Sequence, residues 1–155
     1  MLATPTRFRL AVGSGEGKHG LNAFDCALLE ADIGNINLLR VTSILPPGAQ
    51  EDPQLYPPYG ALVPTAYGTV TSEASGEIIS AAIGIGFSTH SLGVIMEAEG
   101  HCPQQECEEM VQEMLREAFA HRDLTLDSTQ IKGVEHRVQQ AGAVIAAVIL
   151  GYSYQ

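Results

Sequence analysis

The sequence has no tryptophan and few other aromatic residues, only four phenylalanines and five tyrosines. Large rings therefore cannot fill the interior, which must rely on alanine, glycine, valine and isoleucine. That composition favours sheets packed closely under helices. Basic residues are scarce as well: eight lysines and arginines stand against eighteen acids, a formal net charge of −10. Such a surface repels phosphate backbones, so nucleic acid is not an expected partner. It suits solubility and is compatible with small cations. The three cysteines, Cys26, Cys102 and Cys107, have no metal-site spacing and are odd in number for disulfides. No apolar run approaches the ~18 residues that would span a bilayer. The N-terminal "MLATPTRFRLAVGSG" lacks the apolar stretch of a signal peptide. The expectation is a cytoplasmic protein with reduced thiols, no metal and no membrane partner.

What is present reads as one domain over residues 1–155. "RFRLAVGSG" is a strand ending in glycines, and "AFDCALLEADIG" a helix that starts near Asn22 and closes at Gly34. "NINLLRVTSIL" reads as one further strand. Six of the eight prolines fall between Pro46 and Pro64, so an extended loop follows. "GALVPTAYGTVTS", "GEIISAAIGIGFS" and "SLGVIMEAEG" are strands. "PQQECEEMVQEMLREAFAHR" is a helix with acids in its first turns and bases near its end, as the helix dipole prefers. Met110, Met114 and Phe119 are its expected core residues. "GVEHRVQQ" and "AGAVIAAVILGY" close the chain as two strands, expected as a hairpin. The order gives an α+β fold with helices over antiparallel or mixed sheets, two sheets packing on each other.

Several candidate motifs are weak. "GSGEG", Gly13 to Gly17, follows a strand and precedes a helix like a phosphate loop. The Rossmann pattern would need glycine where Lys18 stands, and the Walker pattern Ser or Thr where His19 stands. A closely packed turn is the expectation. The five histidines share no ligand spacing, and no nucleophile elbow occurs. Glu97 and Glu99 share one face of their strand. They either mark its solvent side or line a cleft, where burial would raise a carboxyl's pKa and suit it to proton donation. Asn22 is a natural helix cap, and Asp25 would be favoured by the same helix end. Thr42-Ser43 before Pro46-Pro47 is an odd way to end a strand.

The segment "GEGKHGLNAFDCALLEADIGNINLLRVTSILPPGA", with "GALVPTAYG", "GEIISAA", "GVIMEAEG" and "VEH", closely resembles the pyruvoyl-dependent arginine decarboxylases over nearly the whole chain. The resemblance implies a four-layer α/β/β/α sandwich, self-cleaved and assembled into trimers, sometimes hexamers, with sites between protomers. It implies that the Ser43 hydroxyl attacks the Thr42 carbonyl, giving an ester. Elimination then splits the chain into a β chain, residues 1–42, and an α chain, residues 43–155. The new terminus loses ammonia to become a covalent pyruvoyl group, which serves a Schiff-base decarboxylation of arginine to agmatine.

By the same resemblance Asn37 assists cleavage, although a loop-to-strand hydrogen bond would also explain it. Glu97 supplies the proton after carbon dioxide leaves. Asp25 holds the substrate guanidinium, and Gly34, Ile36, Thr42 and Ile44 line the substrate pocket. Thr42 stands where some relatives carry serine, but it contributes a carbonyl and not the nucleophile.

Overall fold

Alternating glycines decide how the chain begins to pack. In the computed structural model, which describes residues 1–153, strand β1 runs over Arg7–Gly17 and helix α1 over Gly20–Glu30. "GSGEG" is therefore not a turn but the second half of β1, paired along its length with strand β9, Ala141–Gly151. Gly13, Gly15 and Gly17 share a strand face. A Cβ at Gly13 would stand 2.2 Å from the Ala27 carbonyl oxygen, and one at Gly15 2.5 Å from the Ala27 nitrogen. The helix answers with fully buried Ala23 and Ala27. Glycine under alanine thus lets α1 lie directly on the strand backbone.

The remaining elements are β2 (Asn37–Arg40), β3 (Ile44–Leu45), β4 (Gln50–Glu51), β5 (Leu62–Ser72), β6 (Ile78–Phe87), β7 (Gly93–Gly100), α2 (Gln104–His121) and β8 (Ser128–Arg137). They form an α+β fold of two helices and two sheets. The first sheet has the order β2-β5-β9-β1-β4 and the second β3-β7-β6-β8. In the first sheet β9 runs antiparallel to β1 and β5, while β2–β5 and β1–β4 are parallel pairs. The second sheet is antiparallel throughout.

Strand β9 is buried at every position. Its Ala143, Ile145, Ala147 and Ile149 join a cluster with Ala23, Ala27 and Ile33 on the α1 side. The alternate Val144, Ala146, Val148 and Leu150 join Ile79, Ile83, Ile85 and Ile95 of the second sheet. A third cluster sets Val111, Leu115 and Phe119 of α2 against Ala82, Val94 and Ala98.

Four expectations need correction. First, β8 and β9 are not a hairpin. A strand apolar on both faces needs cover on both sides, so β9 takes a central place while β8 edges the other sheet. Glu16 braces the crossing, accepting from His136 Nε2 at 2.7 Å and from the backbone nitrogens of Gln139 and Gln140 at 2.8 and 3.0 Å.

Second, "NINLLRVTSIL" is two strands in different sheets. Third, α1 begins at Gly20, before Asn22, and His19 occupies the N-cap without a side-chain bond. Nor does Gly34 close it: Asp32, at φ 58°, takes the left-handed position. Asp32 N donates to Leu29 O at 3.1 Å and Ile33 N to Leu28 O at 3.0 Å, a Schellman ending. Asp123 closes α2 in the same way, at φ 53°. Aspartate tolerates this region better than most residues. Fourth, Met110 is 40 % exposed and outside the core, whereas Phe119 is buried and Met114 half-buried.

Gly13→Ala should destabilise the fold by about 1–3 kcal/mol, the usual cost of overpacking, because backbone faces the new methyl. Gly100→Ala, whose nearest such neighbour is Cys102 Sγ at 3.4 Å, should shift the urea midpoint far less.

Candidate active site

The break between β2 and β3 carries the chain from one sheet to the other. Val41 N still donates to Thr65 O of β5 at 3.1 Å, extending the first sheet by one bond. Two residues later, Ser43 O accepts from Ile95 N of β7 at 2.7 Å, and Ile44 pairs with Val94. Thr42 lies between these anchors, exposed, and makes no hydrogen bond among the described residues. The Thr42–Ser43 peptide is thus held from both ends, each by a different sheet.

Arg40, Val41, Thr42 and Ser43 form one wall of an open cleft of about 500 Å³, and Ile95, Met96 and Glu97 line the rest. The strand pattern fixes which way the acids point. Ile95 belongs to the cluster between the sheets, whereas Met96 and Ala98 pack on the α2 side. Glu97 and Glu99 therefore share the inter-sheet face with Ile95. Gly68 of β5 makes room for them. A Cβ there would lie 2.7 Å from Glu99 Oε2 and 3.3 Å from Glu97 Cβ.

Burial pushes the Glu97 carboxyl above its ordinary pKa; nearby Arg40 opposes the rise and Glu99 adds to it. The half-buried Glu97 is thereby suited to holding a proton and giving it up. Glu99 is exposed.

Arg40 was not singled out from the sequence. Its guanidinium lies over the Tyr67 ring, 4.3 Å from the centroid, and donates to the Tyr67 carbonyl. Sequence offered no signal for it beyond its place at a strand end next to Val41-Thr42-Ser43.

The other expected site residues lie apart from this cleft within one chain. Gly34 and Ile36 line a second depression of about 300 Å³ with Leu29, Asp32, Asn35, Tyr56, Pro57 and Tyr59. Asp25 is exposed on α1, and Ile44 is exposed at the start of β3. Asn37 is exposed at the start of β2, and its Nδ2 donates to Gly60 O at 3.0 Å. That is a strand-to-loop bond, with the amide spent on a neighbouring main chain. One chain therefore unites Arg40, Thr42, Ser43 and Glu97, and leaves Asp25, Gly34, Ile36 and Asn37 outside the cleft.

An anchored serine main chain beside a carboxyl that resists ionisation can serve chemistry at a carbonyl with proton delivery. Known proteins agree with that class. The family model described as pyruvoyl-dependent arginine decarboxylase matches residues 7–155, and the chain belongs to that family. It is 47 % identical over 150 residues to the pyruvoyl-dependent arginine decarboxylase of Methanocaldococcus jannaschii, covering 96 % of this chain and 91 % of that one. It is 41 % identical over 150 residues to the enzyme of the same name from Methanococcus maripaludis strain C6, covering 96 % and 92 %. With that of Thermococcus kodakarensis it shares 37 % over 153 residues, covering 97 % and 98 %.

The raised pKa of Glu97 makes a stability prediction. A carboxyl whose folded pKa exceeds its unfolded value stabilises fully below the unfolded value, about 4.3 for glutamate, and that contribution is lost as pH rises through the folded value. On an uncleavable Ser43→Ala background, Glu97→Gln should therefore melt higher than its parent at neutral pH. The two should converge below about pH 4. Adding Arg40→Gln to the parent should leave the onset at about pH 4 but widen the gap at neutral pH and carry its growth to higher pH, since the opposing cation is gone and the folded pKa rises further.

Proposed function

We propose that this chain decarboxylates L-arginine to agmatine and carbon dioxide, using a pyruvoyl group made from its own Ser43. The observation that carries the proposal is the Thr42–Ser43 peptide, anchored to both sheets and sharing a cleft with Glu97. The substrate follows the family and the names of its relatives.

Maturation starts when Ser43 Oγ attacks the Thr42 carbonyl carbon and the Thr42–Ser43 amide becomes an ester. A serine hydroxyl is a weak nucleophile, so a held geometry matters more than side-chain reactivity. The two backbone anchors, with Pro46 and Pro47 beyond, supply it. Asn37 is the family's cleavage-assisting residue; to act as an oxyanion donor its amide would have to exchange its bond to Gly60 O. Cleavage leaves residues 1–42 and 43–155 within one domain, which we describe as a four-layer α/β/β/α sandwich on the strength of the three apolar clusters.

The residues present fit a group at position 43. Ser43 is half-buried in the cleft wall, and its carbonyl is held by Ile95 N, so the position keeps its place once the bond to Thr42 is lost. The pyruvoyl group supplies a ketone that condenses with the substrate amine and takes up the electrons freed as carbon dioxide leaves. Glu97 delivers the proton that replaces the carboxylate. Asp25 grips the guanidinium through a two-point pair, and the main chain at Gly34 and Ile36, with Thr42 and Ile44, shapes the pocket.

Because Asp25, Gly34 and Ile36 lie outside the cleft of their own chain, a neighbouring protomer would complete the site. A homotrimer of cleaved protomers, possibly paired into a hexamer, meets that need. Exposed apolar side chains such as Leu21, Tyr59 and Leu62, at 79, 88 and 67 % exposure, are available for such contacts. A cytoplasmic location belongs to the same proposal. No helix among the described residues is long and apolar enough to cross a membrane.

Intact mass under denaturing conditions tests the proposal first. Two fragments divided at Thr42–Ser43, the larger with a pyruvoyl end, are expected, and Ser43→Ala should give a single chain without a terminal ketone. A wild-type chain that stays whole after prolonged incubation would instead favour a non-cleaving binding or assembly protein. Carbon dioxide release should be strongest with arginine; equal or faster release from ornithine or lysine would reassign the substrate. Glu97→Gln should retain cleavage and lower kcat by about a hundredfold or more, in the range of lost acid–base catalysis.

A further inference from the structure

Two of the three cysteines, which the sequence gave no reason to pair, meet at the start of α2. Pro103 is the N-cap of that helix, so Cys102 stands at N′ and Cys107 at N4. These are the two positions that pack together in a hydrophobic staple, and here the staple is made of thiols. The Sγ atoms are 3.6 Å apart. Ser80 Oγ donates to Cys102 O at 2.6 Å, fixing the backbone of the more exposed member, and lies 3.2 Å from Cys107 Sγ. Cys107 is buried, Cys102 half-buried, and Cys26 is exposed on α1.

We propose that Cys102 and Cys107 are an oxidation site, forming an intrachain disulfide on exposure to a peroxide. Sulfur–sulfur bonding needs an approach of about 1.5 Å, to roughly 2.05 Å. Cys102 sits in the short bend between Gly100 and Pro103, outside any strand or helix. With its carbonyl held by Ser80, it is its side chain that turns to make the approach.

The two thiols divide the work. Burial pushes the Cys107 thiol up to about 11, so it stays protonated, and the peroxide meets Cys102 first. The Cys102 sulfur attacks one peroxide oxygen, the O–O bond breaks, and the products are a sulfenic acid and water. Cys107 sulfur then attacks that sulfenic sulfur, the S–O bond breaks, and the hydroxyl leaves as a second water with the Cys107 proton. In total two thiols are oxidised by two electrons and one peroxide is reduced to two waters. The outcome caps Cys102 before it can reach the irreversible sulfinic state, and ties the segment leaving β7 to the first turn of α2. None of this depends on the decarboxylase reading.

The test uses the full-length protein on a Cys26→Ala background, treated with a molar excess of hydrogen peroxide, since two added oxygens on one thiol consume two peroxides. Non-reducing denatured mass and alkylation of free thiols are then measured. The expected result is loss of both titratable thiols, a mass decrease of two hydrogens on the fragment or chain holding residues 102–107, and reversal by a dithiol reductant. With Cys107→Ala added, Cys102 should instead gain two oxygens and not be reversed. Cys102 gaining two oxygens while Cys107 is still present, or both thiols remaining free, would overturn the proposal.

Discussion

The double-sided burial of β9 is the constraint from which the rest of the architecture follows. A central strand of alanine, valine and isoleucine cannot leave either face to water. One face takes α1, and the other takes the second sheet. To supply both covers from one chain, the path must change sheets between β2 and β3, β3 and β4, β5 and β6, and β8 and β9. The first of these changes happens at Val41-Thr42-Ser43. The position of the Thr42–Ser43 peptide is thus a by-product of how the core is closed, sharpened by two backbone bonds that hold its flanks.

The same arrangement sets the electrostatics of the cleft. Glu97 faces inward because its strand alternates, and the inter-sheet space is apolar because β6 and β9 fill it with aliphatic side chains. A carboxylate at that margin loses water and, among the described residues, forms no dedicated ion pair. Its pKa rises for that reason, moderated by Arg40, whose guanidinium Tyr67 holds through ring and carbonyl. The raised pKa is a property of position in the sheet, not of glutamate as such.

Element identity was legible in the sequence to a large extent, since period-two and helical spacings are local. Sheet membership was not. "NINLLRVTSIL" looks continuous because nothing in its apolar pattern marks Arg40 to Ile44 as a change of partner. The two closing strands look like a hairpin because proximity in sequence says nothing about which sheet offers cover. Glycines misled twice. In "GSGEG" they answer to a helix packed overhead, and at Gly34 the expected stop was already made by Asp32. At the site, Thr42, Ser43 and Glu97 were reached through a resemblance spread over long segments. The orientation of Glu97 and Glu99 was left open until the register with Ile83 and Ala81 fixed it. Arg40 required the fold.

The pairing of the chain's opening strand with its closing one bears on what a cut at Thr42–Ser43 would do. Residues 1–42 contribute β1, α1 and β2. β1 lies between β9 and β4, and β2 lies against β5, all three of them encoded after the cut. The short piece is interleaved with the long one, like a finger closed between others. Severing the backbone there changes connectivity but frees nothing. The two products share a single core, and separating them means unfolding both.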